Sequence, residues 1–345
     1  MTAPARRLVL APRDERQLSE IAPIAALVAA TQIEQARARL RDDPAGSVLF
    51  PFRDLDLLSG PVRPGRLVFV MANTGQGKTT FLLNLTRRLL RQNVPDPVCI
   101  DYLGTEQQPE ELWTKLACLD AGVPPDIAIN LAWDRWHNPN AINDVDSALV
   151  DLQFMYGTTG RLKFVPDKFI TLARVEEAAR DAADAGHSLL IVDHIDRIET
   201  DGDDYAAMRT LVRRMKELAR DHDIVIIAAS QSNRKGREGD RLAVYHPPRL
   251  ETMRGGGVKE EEADIVLGLF RPIAERPPTL TAKEWTARLS SVRKGDVPAS
   301  EIISTDRMGV CLLKHRTRSN EGAQCYLRID RGIATDESVS SSSRM

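Results

Sequence analysis

No stretch of this 345-residue chain stays apolar for the roughly 20 residues a membrane helix needs. The longest apolar run near the start, Ile21 to Ala30, is short and broken by Pro23, so no membrane partner is expected. Cysteine is sparse: Cys99, Cys118, Cys311 and Cys325 stand far apart with no C-x-x-C pair. That spacing excludes a zinc finger or a disulfide framework and fits a reducing cytoplasm. A surplus of one charge is missing too. The formal net charge is −2, so a polyanion would have to be held by local patches. There is no internal repeat and no apolar core of a secretory signal. What remains is 42% hydrophobic, enough to bury a sizeable core.

Residues 15–42 read as a mostly helical arm that cannot bury a core alone, which sets an N-terminal arm at 1–49. From Phe50 onward, apolar runs of strand length alternate with helical patterns. Strands are expected at Leu67–Met71, Val98–Tyr102, Leu189–Val192, Ile224–Ala229 and Gly309–Leu313. Helices are expected at Thr80–Arg91, Pro109–Ala121, Leu172–Ala185 and Tyr205–Arg220. The alternation predicts an α/β fold, a mainly parallel sheet with helices on both faces, over 50–330. Three stretches break the rhythm: an irregular excursion with a short helix at 131–160, mobile Arg- and Gly-rich loops at 232–258, and a Pro-rich insertion at 272–305 with a helix around Ala282–Val292. Residues 331–345, rich in serine, are expected to be a disordered tail.

The segment LVFVMANTGQGKTT, Leu67 to Thr80, is a strand, a glycine loop and the start of a helix. This is the P-loop pattern, with Ala72 where the first glycine is usual. Its backbone N–H groups face the phosphates of ATP, so Asn73, Thr74, Gly75, Gln76, Gly77, Lys78, Thr79 and Thr80 form the nucleotide cradle. Lys78 neutralises phosphate charge, and the Thr79 hydroxyl is a ligand for Mg²⁺.

LLIVD, Leu189 to Asp193, is a hydrophobic strand ending in an acid. Beside a P-loop, Asp193 reads as the second Mg²⁺ ligand. Glu106 follows another strand and is placed to polarise an attacking water. Glu110 and Glu111 read as first-turn acids of a helix. Gln231 ends a third strand, where a plain polar strand end and a γ-phosphate sensor are both open readings. His194 and His137 have no second metal ligand at suitable spacing and read as structural.

Together these residues resemble the motor domain of replicative hexameric DNA helicases of the DnaB type, within the RecA-like superfamily. The resemblance rests on FRDLDLLSG from Phe52, RPGRL from Arg63, GTEQ from Gly104, VDH from Val192, SQSNR from Ser230, RGGG from Arg254 with EEEAD from Glu260, and KHR from Lys314. It implies that Glu106 is the catalytic carboxylate and Gln231 the sensor. It also implies that Lys314 and Arg316 act in a neighbour's ATP site, within a homo-oligomeric ring of six. The spacing after Arg316 is altered, which leaves Arg316 and Arg318 both open as the finger. The 49 residues ahead of the motor leave no room for the family's helical N-terminal domain, so a primase has no obvious dock, and a loader or other replication protein is an open partner.

The loops after Gln231 carry Arg234, Lys235, Arg237 and Arg254, and Gly255 and Gly256 let backbone amides approach a phosphate. Such loops around a channel would grip single-stranded DNA by its backbone. Two rival readings are a RecA- or RadA-like repair ATPase that forms filaments and a nucleotide-switched loading factor.

Overall fold

Strand β1, Leu67–Ala72, organises the molecule because both of its faces are buried. Leu67, Phe69 and Met71 enter one apolar layer, and Val68, Val70 and Ala72 enter the other. Burying each of the larger side chains contributes about 1.5–3 kcal/mol, so such a run is stable only as a central strand with helices on both sides.

The computed structural model describes residues 46–92, 97–125, 139–165, 171–198, 204–232, 241–253 and 256–337. The expected arm and its helix at 15–42 lie outside them. Among the described residues the elements are α1 (Arg53–Ser59), β1, α2 (Lys78–Leu90), β2 (Ile100–Gly104), α3 (Pro109–Ala121), α4 (Pro139–Leu152) and β3 (Leu162–Val165). They continue with α5 (Leu172–Asp184), β4 (Leu189–Asp193), α6 (Asp204–Asp221), β5 (Val225–Gln231), α7 (Gly256–Glu262) and β6 (Ile265–Phe270). The last are α8 (Ala282–Lys294), β7 (Arg307–His315), β8 (Gln324–Asp330) and β9 (Ile333–Asp336).

The sheet runs in the order β3-β2-β4-β5-β1-β6-β7-β8-β9. Every pair from β3 to β6 is parallel, and β7 to β9 are added antiparallel. Helices α2 and α3 cover one face with Phe81, Leu82, Leu85, Leu89, Leu112 and Leu116. Helices α5 and α6 cover the other with Val175, Ala179, Leu211, Met215 and Leu218. The architecture is the mainly parallel α/β sheet that the sequence predicts.

Three departures have clear causes. Within the excursion at 131–160 the expected short helix is longer, the 14-residue α4, because Ala141, Val145, Ala148, Leu149 and Leu152 form one apolar stripe that packs on the α3 side of the core. A wide turn at Gln153–Gly157 ends it, and Trp133, Trp136 and His137 lie outside the described residues. The disordered tail does not begin at 331. Arg331 and Gly332, both at positive φ, turn the chain into β9. The buried Asn84 of α2 then fixes that strand: its Nδ2 donates to Gly332 O at 2.7 Å, and its Oδ1 accepts from Ala334 N at 2.7 Å. Finally, part of the expected loop at 232–258 is helical, since α7 starts at Gly256.

The insertion between β6 and β7 carries its expected helix as α8, closed by a Thr281–Glu284 capping box and by Gly295 in the left-handed region. Val292 and Ile302 of the insertion bury Leu242 between them, so it owns a small core that clamps the 241–245 turn.

Candidate active site

Parallel pairing brings the predicted residues to one edge. Ala72 is level with Gln231, and Gly104 is level with Asp193. The phosphate loop, Gln231, Asp193 and Glu106 therefore all leave the carboxyl ends of adjacent strands, where open α/β sheets bind ligands.

Within the loop, Gly75 and Gly77 have φ of 78° and 92°, and Gly77 is the N-cap of α2. At those φ values a side chain would be strained whatever the space around it, so the tight path requires glycine. Helix α2 has no side-chain cap and no acid in its first turn. Its amino end thus offers unfilled N–H donors to an anion, which fits a triphosphate. Thr79 and Thr80 are its second and third residues. Asn73 is buried, and its carbonyl accepts from Gln76 N at 3.2 Å. Gln76 Oε1 accepts from Arg271 N at 2.6 Å. Arg271, at the end of β6, is a loop partner that the sequence did not mark.

Lys78 is nearly buried, with Nζ 3.4 Å from Ala72 O. Burial lowers its pKa, while Asp193, Asp196 and Glu106 pull it back up. Asp193 Oδ2 accepts from the Tyr102 hydroxyl at 2.8 Å, and burial with this carboxylate pushes the phenol well above its usual pKa. Among the described residues no cluster of three or more His, Cys, Asp or Glu could hold a metal. One carboxylate and one hydroxyl fit a magnesium ion that takes its other ligands from phosphate and water.

Glu106 is 41% exposed, with Oε1 3.0 Å from Arg197 Nε and 3.3 Å from His194 Nε2. His194 is more than a packing residue. Its Nε2 is also 3.4 Å from Gln231 Nε2, so the ring stands between the predicted base and the predicted sensor. Below it lies Asp196, whose Oδ2 accepts from Gln231 N at 2.6 Å and whose Oδ1 pairs with Lys259 Nζ at 2.7 Å. Burial would raise the Asp196 pKa, but His194, Lys259 and the Gln231 amide outweigh it and hold the carboxyl well below the usual range. Neither Asp196 nor Lys259 is marked by any motif in the sequence.

The predicted basic pair lies elsewhere. Ile265 is level with both Val68 and His315, so the end of β7 sits near the amino end of β1. Along the strand that is about 13 Å from the loop after Ala72. There, Lys314 Nζ donates to Glu260 O, and Arg316 donates to Glu261 O at 2.9 Å and lies 3.5 Å from Asp264 Oδ1. Arg318 instead donates to Leu57 O and Leu58 O, closing the end of α1. Arg316 and Arg318, but not Lys314, line a cleft of 340 Å³ with Arg63, Arg66, Asp264 and His315. Of the predicted DNA contacts, Arg234, Lys235, Arg237, Arg254 and Gly255 lie outside the described residues, and Gly256 opens α7.

Residues 48–311 match the family model of the DnaB-like helicase C terminal domain. The chain is 24% identical over 292 residues to the replicative DNA helicase DnaB of Leifsonia xyli subsp. xyli, covering 81% of this chain and 59% of that protein. It is 27% identical over 222 residues to the one from Treponema pallidum, covering 63% of this chain and 46% of that protein. The chain thus spans about half the length of the curated relatives it matches. Among solved structures, it superposes on a DnaB-like replicative helicase, one described together with its interactions with primase. The TM-score is 0.64 at 17% identity, over 91% of this chain and 66% of that one. That likeness concerns the fold.

Proposed function

The chain belongs to the family of the DnaB-like helicase C terminal domain, and on that premise we propose that it is an ATP-driven motor that moves on single-stranded DNA as a ring of copies. The convergence of the phosphate loop, Asp193, Glu106 and Gln231 on one edge of the sheet carries this reading. The backbone of Gly75 to Lys78 and the Lys78 ammonium would hold the triphosphate, with Thr79 and Asp193 holding Mg²⁺. The bound metal supplies charge neutralisation on the terminal phosphate. Glu106 orients and deprotonates the attacking water, and Gln231 reports the state of the γ-phosphate to the loops beyond β5.

Lys314 and Arg316 stand too far from their own phosphate loop to serve it. Their role is to stabilise phosphoryl charge in a neighbouring copy. Because Arg318 closes α1, Arg316 is the better finger of the two. Arg234, Lys235, Arg237, Arg254, Gly255 and Gly256 would hold the DNA backbone, and contacts of that kind weaken steeply with salt.

The test is ATP turnover by the purified chain with and without single-stranded DNA, together with strand displacement on tailed forks. Strong stimulation and ATP-dependent displacement are expected. Turnover indifferent to DNA would sink the motor reading.

A further inference from the structure

A lysine with no exposed surface is hard to explain by packing alone. Lys259 is 0% exposed, and its Nζ lies 2.7 Å from Asp196 Oδ1 and 2.8 Å from Ser230 Oγ. A buried ion pair seldom stabilises a fold more than well-packed apolar side chains of the same volume would. Its value here lies in what it connects. Lys259 is the fourth residue of α7, which begins at Gly256 of the glycine segment. Asp196 stands three residues after Asp193, in the short turn Ile195–Arg197.

Both oxygens of Asp196 are occupied, one by Lys259 and the other by the backbone N–H of Gln231 at 2.6 Å. Gln231 Nε2 lies 3.4 Å from His194 Nε2, and that same nitrogen lies 3.3 Å from Glu106 Oε1. A continuous set of short contacts therefore runs from α7 to Glu106. It passes through the Gln231 side chain, or directly from Asp196 Oδ2 to His194 Nδ1 at 3.6 Å. His194 Nε2 serves Glu106 as a donor or Gln231 as an acceptor according to its tautomer, so each contact depends steeply on distance and direction. Farther along α7, Glu262 instead pairs with Arg213 of α6 at 3.3 Å.

We infer that Lys259 is a positioning residue that couples α7 to the water-activating carboxylate, acting through Asp196, Gln231 and His194. This inference rests on the motor reading above. When single-stranded DNA binding shifts α7, the helix carries the Lys259 ammonium with it. Asp196 follows its partner and re-aims the Gln231 backbone and the His194 ring. Lys259 touches neither nucleotide nor water. Its part is to make hydrolysis depend on DNA.

The experiment compares the full chain with Lys259→Met, Lys259→Arg and the double variant Lys259→Met/Asp196→Asn. The double variant leaves no unpaired buried charge, and its residue 196 can still accept from the Gln231 amide. Three quantities are read: thermal midpoint, affinity for a fluorescent ATP analogue, and the ratio of ATP turnover with saturating oligo-dT to turnover without it. The ratio is expected to fall about tenfold in Lys259→Met and in the double variant, a usual size for coupling between two sites. Nucleotide affinity should hold, and Lys259→Arg should recover most of the ratio. If the folded double variant keeps the parent's ratio, Lys259 only fills space and the inference is overturned, even where Lys259→Met fails to fold. If the unsubstituted chain itself shows no stimulation, the motor reading fails first and removes the inference with it.

Discussion

The two ends of the central sheet are both rich in charge, yet they are built on opposite principles. At the amino end, Asp264 is saturated by its own chain. Its Oδ1 takes Arg66 at 2.7 Å, and its Oδ2 takes Lys216 at 2.6 Å and Leu67 N at 2.9 Å. Nearby, His315 Nε2 meets Ser59 O at 2.9 Å. At the carboxyl end, α2 begins without a side-chain cap and with no acid in its first turn, so its leading N–H groups await an acceptor. A satisfied cluster fixes strands and helices to one another, whereas unmet polar capacity at strand ends belongs to a site that a ligand completes. Arg316 is the exception at the satisfied end. It is 45% exposed, and what holds it is one carbonyl, Glu261 O at 2.9 Å, and an acid 3.5 Å away that is already in use, so turning outward costs it little.

Substitutions at each end should therefore fail in different ways. The largest effect is expected at Glu106, where Glu106→Gln should slow turnover by about 10²–10⁴-fold, the usual contribution of a positioned acid or base. Equilibrium titration with a nucleotide analogue should find its affinity nearly unchanged, and a joint loss of both would show that Glu106 supports the loop instead. At the other end, Asp264→Ala should cost about 3–5 kcal/mol of stability, because it leaves the Lys216 and Arg66 charges without their shared carboxylate. Urea unfolding would show this, and a shift confined to activity would erase the contrast between the ends.

A smaller effect follows from pH. Burial raises the Asp264 pKa, but Lys216, Leu67 N and Arg66 outweigh it and depress the folded value. A depressed carboxylate stabilises fully above its unfolded pKa and loses that stability as pH falls through the folded one. Below about pH 4, the unsubstituted chain should then lose stability more steeply than Asp264→Asn. The smallest effect belongs to neither end: Arg174→Ala, which breaks the exposed pair with Glu177, should change stability by about 0.5 kcal/mol or less.

Much of this was legible wherever the signal is local. Helix α3 spans Pro109–Ala121 as expected, since Pro109 starts it and Gly122, at φ 67°, ends it within their own turns. Glu110 and Glu111 do stand in its first turn. Strand limits were less legible. The run expected at Val98–Tyr102 pairs from Ile100 to Gly104, because its ends are set by Leu189 and Asp193 on the neighbouring strand. Strands β8 and β9 were hidden for the same reason, as short polar-edged segments defined by their partners.

The site divides similarly. Glycine spacing and an acid at a strand end announce themselves. Lys259 does not, because it stands before three glutamates and reads as part of a solvated helix face. Its burial becomes visible only once Asp196, far away in sequence, is folded against it. His194 reads as structural in the sequence for want of a second metal ligand, and its place between Glu106 and Gln231 is likewise a product of strand pairing.

The central claim is that the open end of one copy is completed by the basic residues at the closed end of the next. Mixing unsubstituted chains with increasing fractions of Arg316→Ala chains, at constant total protein and saturating single-stranded DNA, tests it most directly. Activity should fall faster than the fraction of unsubstituted chains, since each altered copy disables its neighbour's site. A straight-line loss would contradict the claim.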